Sequence, residues 1–186
     1  MSKKDFLVEI GTEELPPKAL LKLSKSFQAG VVDGLKKESL NYTDVSAFAT
    51  PRRLALLVSQ LDEKQEDKQT DKFGPAVKAA FDGEGNPTPA ASGFAKSCGV
   101  EVSDLGTAEK DGVEKLSYSS TQPGKSTTEL LPSIIDTALA KLPIPKRMRW
   151  GASRDEFVRP VHWVVLLFGN EVVKTTILGV ESGMET

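Results

Sequence analysis

Apolar side chains first recur at every second position. Phe6, Val8 and Ile10 alternate with Leu7, Glu9 and Gly11, which predicts a strand with one buried face. The rhythm then lengthens. Leu20, Leu21, Leu23, Phe27, Val31, Val32 and Leu35 form one helical stripe, predicting a helix that enters at Pro16 and Pro17, runs to about Lys37 and stops near Asn41. Residues 45–49 and 54–61 return to the strand pattern, joined by Thr50-Pro51-Arg52-Arg53. Further on, Ser126-Thr127-Thr128-Glu129 has the form of a capping box and opens a helix to about Leu142. Leu131, Ile134, Ile135, Ala138 and Leu142 share its apolar face, while Pro132 predicts a distorted first turn or a later start. Residues 161–168 and 172–178 read as a strand pair turning at Gly169-Asn170.

The middle of the chain follows neither rhythm. Residues 62–72 (DEKQEDKQTDK) are strongly charged and predict a solvated edge or linker. From Phe73 to Gly124 glycine and proline rise, with short helices expected near residues 75–81 and 89–97 and a hairpin at Asp111-Gly112. The order β-α-β-β, insertion, α-β-β predicts an α+β fold: a mixed or antiparallel sheet with helices on one face. Its sandwich core is drawn from residues 1–61 and 126–186, and residues 62–125 form an inserted satellite subdomain. The final residues, from Thr175, run on without a closing helix, so the chain is expected to be a piece of something longer.

Charge narrows the functional classes. With 24 basic and 26 acidic residues the net charge is −2, so any nucleic acid must be met by a local patch. One cysteine, Cys98, excludes an internal disulfide and a multi-cysteine zinc site, and reads as a small packing residue. No signal peptide is visible and no apolar run approaches the roughly 18 residues of a membrane span, so a soluble, cytoplasmic protein is expected. Nucleotide-binding, serine-hydrolase and zinc-protease motifs are absent from the sequence. Gly83-Glu84-Gly85-Asn86-Pro87 reads as a plain turn. Glu13-Glu14 reads as acids complementing the dipole of the helix that follows.

One stretch stands apart. Residues 143–163 hold both tryptophans, the one histidine, and Lys146, Arg147, Arg149, Arg154 and Arg159, offset by Asp155 and Glu156. Arginine beside tryptophan suits a surface that meets phosphate and stacked rings, and equally a core edge where arginines lie over indoles. Period-2 spacing puts Lys146, Met148 and Trp150 on one face, toward a core, and Arg147 and Arg149 on the other. Arg52 and Arg53 at the predicted turn can grip phosphate or pair with Glu13 and Glu14. His162 is expected to be a partly buried hydrogen-bonding residue rather than a catalyst.

Four segments also carry a resemblance: residues 7–16 (LVEIGTEELP), 49–55 (ATPRRLA), 143–151 (PIPKRMRWG) and 157–162 (FVRPVH). In content, order and spacing they resemble the N-terminal region of the bacterial glycyl-tRNA synthetase β subunit, with lesser echoes at Gly74-Pro75 and Gly93-Phe94-Ala95. The resemblance spans residues 6 to about 179 and implies about the first quarter of a β subunit. It implies a part in ATP-dependent glycylation of tRNA(Gly), with the α subunit, tRNA(Gly) and the remainder of β as partners. ATP with its magnesium would sit on the α subunit, leaving this fragment without a cofactor or catalytic residue of its own. Its role would be to position tRNA or to brace the assembly. The tRNA-binding candidates are Arg52, Arg53, Lys146, Arg147, Arg149, Arg159 and His162. The alternative is a structural interaction domain with no tRNA contact.

Overall fold

The computed structural model describes residues 2–82, 84–110, 112–152 and 154–186. Its elements run β1 (Lys3–Thr12), α1 (Pro17–Lys37), β2 (Asp44–Thr50), β3 (Arg53–Asp62), β4 (Lys68–Ala76), α2 (Val77–Ala80), α3 (Pro89–Cys98), β5 (Gly106–Lys110) and β6 (Val113–Gln122). Then come α4 (Thr127–Ala140), β7 (Met148–Arg149), β8 (Glu156–Phe157), β9 (Val161–Phe168), β10 (Glu171–Val172), β11 (Thr176–Ile177) and β12 (Val180–Gly183). The fold is α+β, as the sequence pattern predicts. It divides into two compact units: Met1–Glu66 with Gly124–Thr186, and Asp67–Pro123.

In the first unit β1 is central, antiparallel to β3 on one side and to β9 on the other. The full order is β11-β12-β9-β1-β3-β2, with β10 also on β9. Phe6, Val8 and Ile10 of β1, Leu54, Leu56 and Val58 of β3, and Val164, Leu166 and Phe168 of β9 face one core. Onto it α1 lays Leu23, Phe27, Val31 and Leu35, and α4 lays Leu131, Ile134, Ile135 and Ala138. Both helices therefore cover the same face of the sheet. They cross closely at two glycines, since a β-carbon on Gly34 would lie 2.6 Å from Ile134 Cγ2 and one on Gly30 3.0 Å from Ala138 Cβ.

Local chemistry overrides the sequence pattern at several points. Ser126 makes no side-chain cap on α4. The helix start is held instead by the end of β3: Thr127 donates its hydroxyl to the Asp62 carbonyl (2.5 Å) and its N–H to the Glu63 carbonyl. α4 then passes continuously through Pro132. The strand expected over residues 172–178 is broken. Val173 still donates its N–H to the Leu166 carbonyl of β9, and beyond it the ladder ends, with Ser182 bonding the carbonyls of Val173 and Thr175. Leu178 and Gly179, both at positive φ, make a tight turn that sends β12 back beside β9 in parallel.

The second unit is a three-stranded antiparallel sheet, β4-β6-β5, with α2 and α3 and a small core of Ala80, Ala91 and Leu116. The charged stretch, expected to be a solvated edge or linker, leads into β4, an edge strand of this sheet that is polar and exposed along most of its length. Asp62 and Gln65, at the start of that stretch, are buried in the first unit. Gly74 lies under the Phe94 ring, so the two lesser motif echoes meet. β5 and β6 pair from Lys110↔Val113 as a hairpin; Asp111 of its expected turn, and Gly83 of the expected turn at 83–87, lie outside the described residues.

The first unit closes on itself where the chain leaves it. Gln65 donates its N–H to the Lys125 carbonyl and accepts the Lys125 N–H on Oε1. Lys64 bridges to Ser126, and Gly124 sits so near that a β-carbon would fall 1.9 Å from the Gln65 carbonyl oxygen.

Candidate functional site

The loop after β1 is where distant sequence motifs meet. Thr12 donates its N–H to the Arg52 carbonyl (2.9 Å), Leu15 to the Pro51 carbonyl (2.6 Å) and Glu13 to the Pro160 carbonyl (2.9 Å). Arg159 adds a fourth tie from Nε to the Glu14 carbonyl (3.0 Å). Three segments that resemble the family are thus stitched by backbone groups at one end of the sheet. Leu15 anchors the loop, fully buried in the core.

Beside this junction, on the sheet face without helices, lies a cluster built on a glycine. Gly11 is in register with Trp163 on β9 and with Arg53 on β3. The indole occupies the space a side chain at Gly11 would need, with Cε2 only 1.9 Å from a β-carbon there. Glu9 accepts Trp163 Nε1 (3.0 Å) and lies 3.3 Å from Arg53 Nε on the same oxygen. The guanidinium of Arg53 also lies 5.7 Å from the Trp163 ring centroid, within cation–π range. Arg53 therefore pairs with Glu9, not with Glu13 or Glu14.

The register slips between Gly11 and Thr12, leaving His162 as the extra residue of a bulge. That places His162 on the surface, about half exposed, with its ring 6.5 Å from the Trp163 centroid and Nε2 2.9 Å from Glu13 Oε1. The ring makes the expected hydrogen bond, and it lies further into solvent than expected because the bulge turns it outward. Glu13 thus faces a histidine, and no acid lies in the first turn of α1.

The arginines after α4 are mostly engaged by their own chain. Arg147 donates to the Ala140 carbonyl at the end of α4 (2.8 Å) and to the Glu156 carbonyl (3.4 Å). Arg149 Nε meets Glu156 Oε1 at 2.6 Å across the two-residue ladder of β7 and β8. Arg159 also bonds the Val158 carbonyl. Met148, expected to face a core, is exposed because β7 pairs only with β8 and not with the main sheet. Trp150 does pack partly against the core. Arg52 and Lys146 are exposed, and their side chains have no hydrogen-bond or ion-pair partner among the described residues.

Between the helix entrance and the segment after α4 lies a cleft of about 230 Å³. Pro16, Ala19 and Leu23 line it from one element, and Pro143, Ile144 and Pro145 from the other. Its charged lining residues are Lys146 and Arg159. The described lining residues are apolar or cationic. Among the described residues no group of three or more histidine, cysteine, aspartate or glutamate side chains is placed to hold a metal ion. No helix among them is long and apolar enough to cross a membrane.

Sequence reasoning missed Glu9 as the hub of the indole cluster. The available signal was a glycine on a strand that is otherwise densely substituted. It also missed the convergence of Pro16, Pro143 and Pro145, which no local pattern encodes.

Residues 6–186 match the family described as glycyl-tRNA synthetase beta subunit. The chain is 55% identical to the glycine–tRNA ligase beta subunit of Pseudomonas entomophila over all 186 residues, which cover 27% of that relative. Identity to the same-named protein of Marinobacter nauticus is 51%, and of Hahella chejuensis 52%, each over the whole chain and 27% of the relative. The chain spans about a quarter of the length of these relatives.

Proposed function

Because the chain belongs to the glycyl-tRNA synthetase beta subunit family, we propose that it is the N-terminal module of a glycine–tRNA ligase β subunit and braces the assembly. The ligase would attach glycine to tRNA(Gly) using ATP, with the α subunit, tRNA(Gly) and the remainder of β as partners. ATP and its magnesium belong, in this reading, to the α subunit. The bracing role is supported above all by the direction of the guanidiniums. Arg53, Arg147, Arg149 and Arg159 are engaged by Glu9, Ala140, Glu156, Glu14 and Val158 of the same chain. Arginines fixed in this way hold motif segments in register and have fewer donors to offer a phosphate.

A second reading, tRNA positioning, is favoured by Arg52 and Lys146, which are exposed without a side-chain partner among the described residues. The two readings separate when Arg147 and Arg149 are replaced together by alanine in the intact ligase. Bracing leads us to expect weakened assembly with α and an unchanged salt dependence of tRNA binding. Normal assembly with a flattened salt slope would overturn bracing in favour of phosphate contact.

A further inference from the structure

The cleft walled by Pro16, Pro143 and Pro145 has a shape and a charge that identify a partner. We propose that it is the docking site for an acidic segment of the α subunit that inserts one aromatic or large aliphatic side chain. The inference rests on the bracing role and names a surface through which it acts.

Size is the first argument. The cleft's volume of about 230 Å³ falls below the roughly 300–1,000 Å³ of small-molecule pockets and suits a single large side chain. Its proline rings and the first turn of α1 are rigid before binding, so little is lost in ordering them. Among the described residues the lining holds no aromatic ring on which a base could stack, which favours a peptide over a nucleic-acid strand.

Charge is the second. Lys146 and Arg159 line the cleft, and Lys18 and Lys22, both exposed, directly precede its lining residues Ala19 and Leu23 on α1. Lys18, Lys22 and Lys146 have no side-chain partner among the described residues. Against them the adjoining loop presents Glu14, since Glu13 is paired with His162. A cationic rim around an apolar anchor site complements an acidic segment and speeds the encounter of separate chains. A segment tethered in the same chain needs no such steering, which points to the other subunit.

The test uses ligase reconstituted from purified α and full-length β, with a photoreactive benzoylphenylalanine at Lys146. Illumination is expected to join Lys146 to an acidic, apolar-anchored stretch of α, located by peptide mass spectrometry. Ala19→Trp, which fills the cleft, and Lys22→Glu, which reverses the rim, should each abolish that cross-link. Should the tryptophan variant fail to fold, the exposed lysine substitution still decides. A cross-link to another part of β, to tRNA alone, or none at all overturns the docking site. A missing cross-link with arginine-dependent assembly overturns the docking site alone. Assembly indifferent to Arg147 and Arg149, beside a cross-link to α, overturns bracing by those arginines and leaves the docking site standing.

Discussion

Trp163 rests on Gly11 so closely that a single added β-carbon would stand 1.9 Å from indole Cε2 and 2.2 Å from Cδ2. One absent side chain in the central strand makes the seat for the largest ring of the neighbouring strand. Glu9, two residues back on the same face, then fixes the ring through its N–H and draws in Arg53 from the third strand. Three strands are tied by one carboxylate.

Gly11→Ala should therefore eject the indole and release both of its neighbours. Overpacking of this kind costs about 1–3 kcal/mol. Urea unfolding followed by tryptophan fluorescence would register a lower midpoint and a more solvated emission. An unaltered midpoint would show that the ring has room to move.

Arg147 and Arg149 differ in where their donors go, and the difference is measurable. Arg147 satisfies the Ala140 carbonyl at a helix end, so Arg147→Ala should lower stability by about 1 kcal/mol. Arg149 pairs with Glu156 on the surface, where such pairs contribute well under about 1 kcal/mol, and Arg149→Ala should be nearly silent. Thermal melts of the two variants should rank accordingly, and the gap should persist in high salt.

Gly34 sets propensity against packing. Alanine favours an exposed helix over glycine by about 1 kcal/mol, yet its β-carbon here would press 2.6 Å from Ile134. We expect Gly34→Ala to destabilise, because α4 must shift away from α1. A raised melting temperature would mean that Ile134 simply rotates clear.

Asp136 holds its proton more readily than an ordinary aspartate, first because the surrounding protein disfavours its charge and second because Asp155 is nearby. The folded state thus binds the proton more tightly than the unfolded one. Stability falls as pH rises from the normal aspartate range through the raised folded value, and the deficit persists above it. Asp136→Asn should therefore be slightly more stable at neutral pH, and that advantage should vanish in acid. The gain is small because Asp136 is substantially exposed.

β2 is a sheet edge without lysine, proline or bulge along its ladder, and it presents Phe48, 55% exposed. Such edges invite pairing with another strand. Phe48→Lys should reduce self-association of the chain in light scattering while leaving its unfolding free energy within about 0.5 kcal/mol of the original.

What the sequence made legible follows period. β1, α1 and β3 announce themselves because their apolar residues recur at the period of a face turned to the core. In β2 the partly buried Val45 and Ala47 keep the same alternation, and in α1 Leu23, Phe27, Val31 and Leu35 leave no competing reading. The breaks come where a side chain outbids the pattern. Thr127 takes a carbonyl from β3, Ser182 takes two from residues 173 and 175, and neither bond has a local signature. β4 escaped notice because a strand exposed on both sides has no alternation to detect. At the junction, the types of residue were evident but their partners were not. Glu9 and Arg53 are far apart along the chain, and only sheet register brings them to 3.3 Å.

The seam at Gln65 and Lys125 has a genetic consequence. Chain that departs at one residue and returns beside it leaves the core indifferent to how much sequence lies between, since closure is secured by the first unit's own bonds. Through such a doorway, residues 67–123 are expected to tolerate being lengthened, trimmed or exchanged as a cassette. The sheet, the two crossing helices and the motif junction are expected to keep their register throughout.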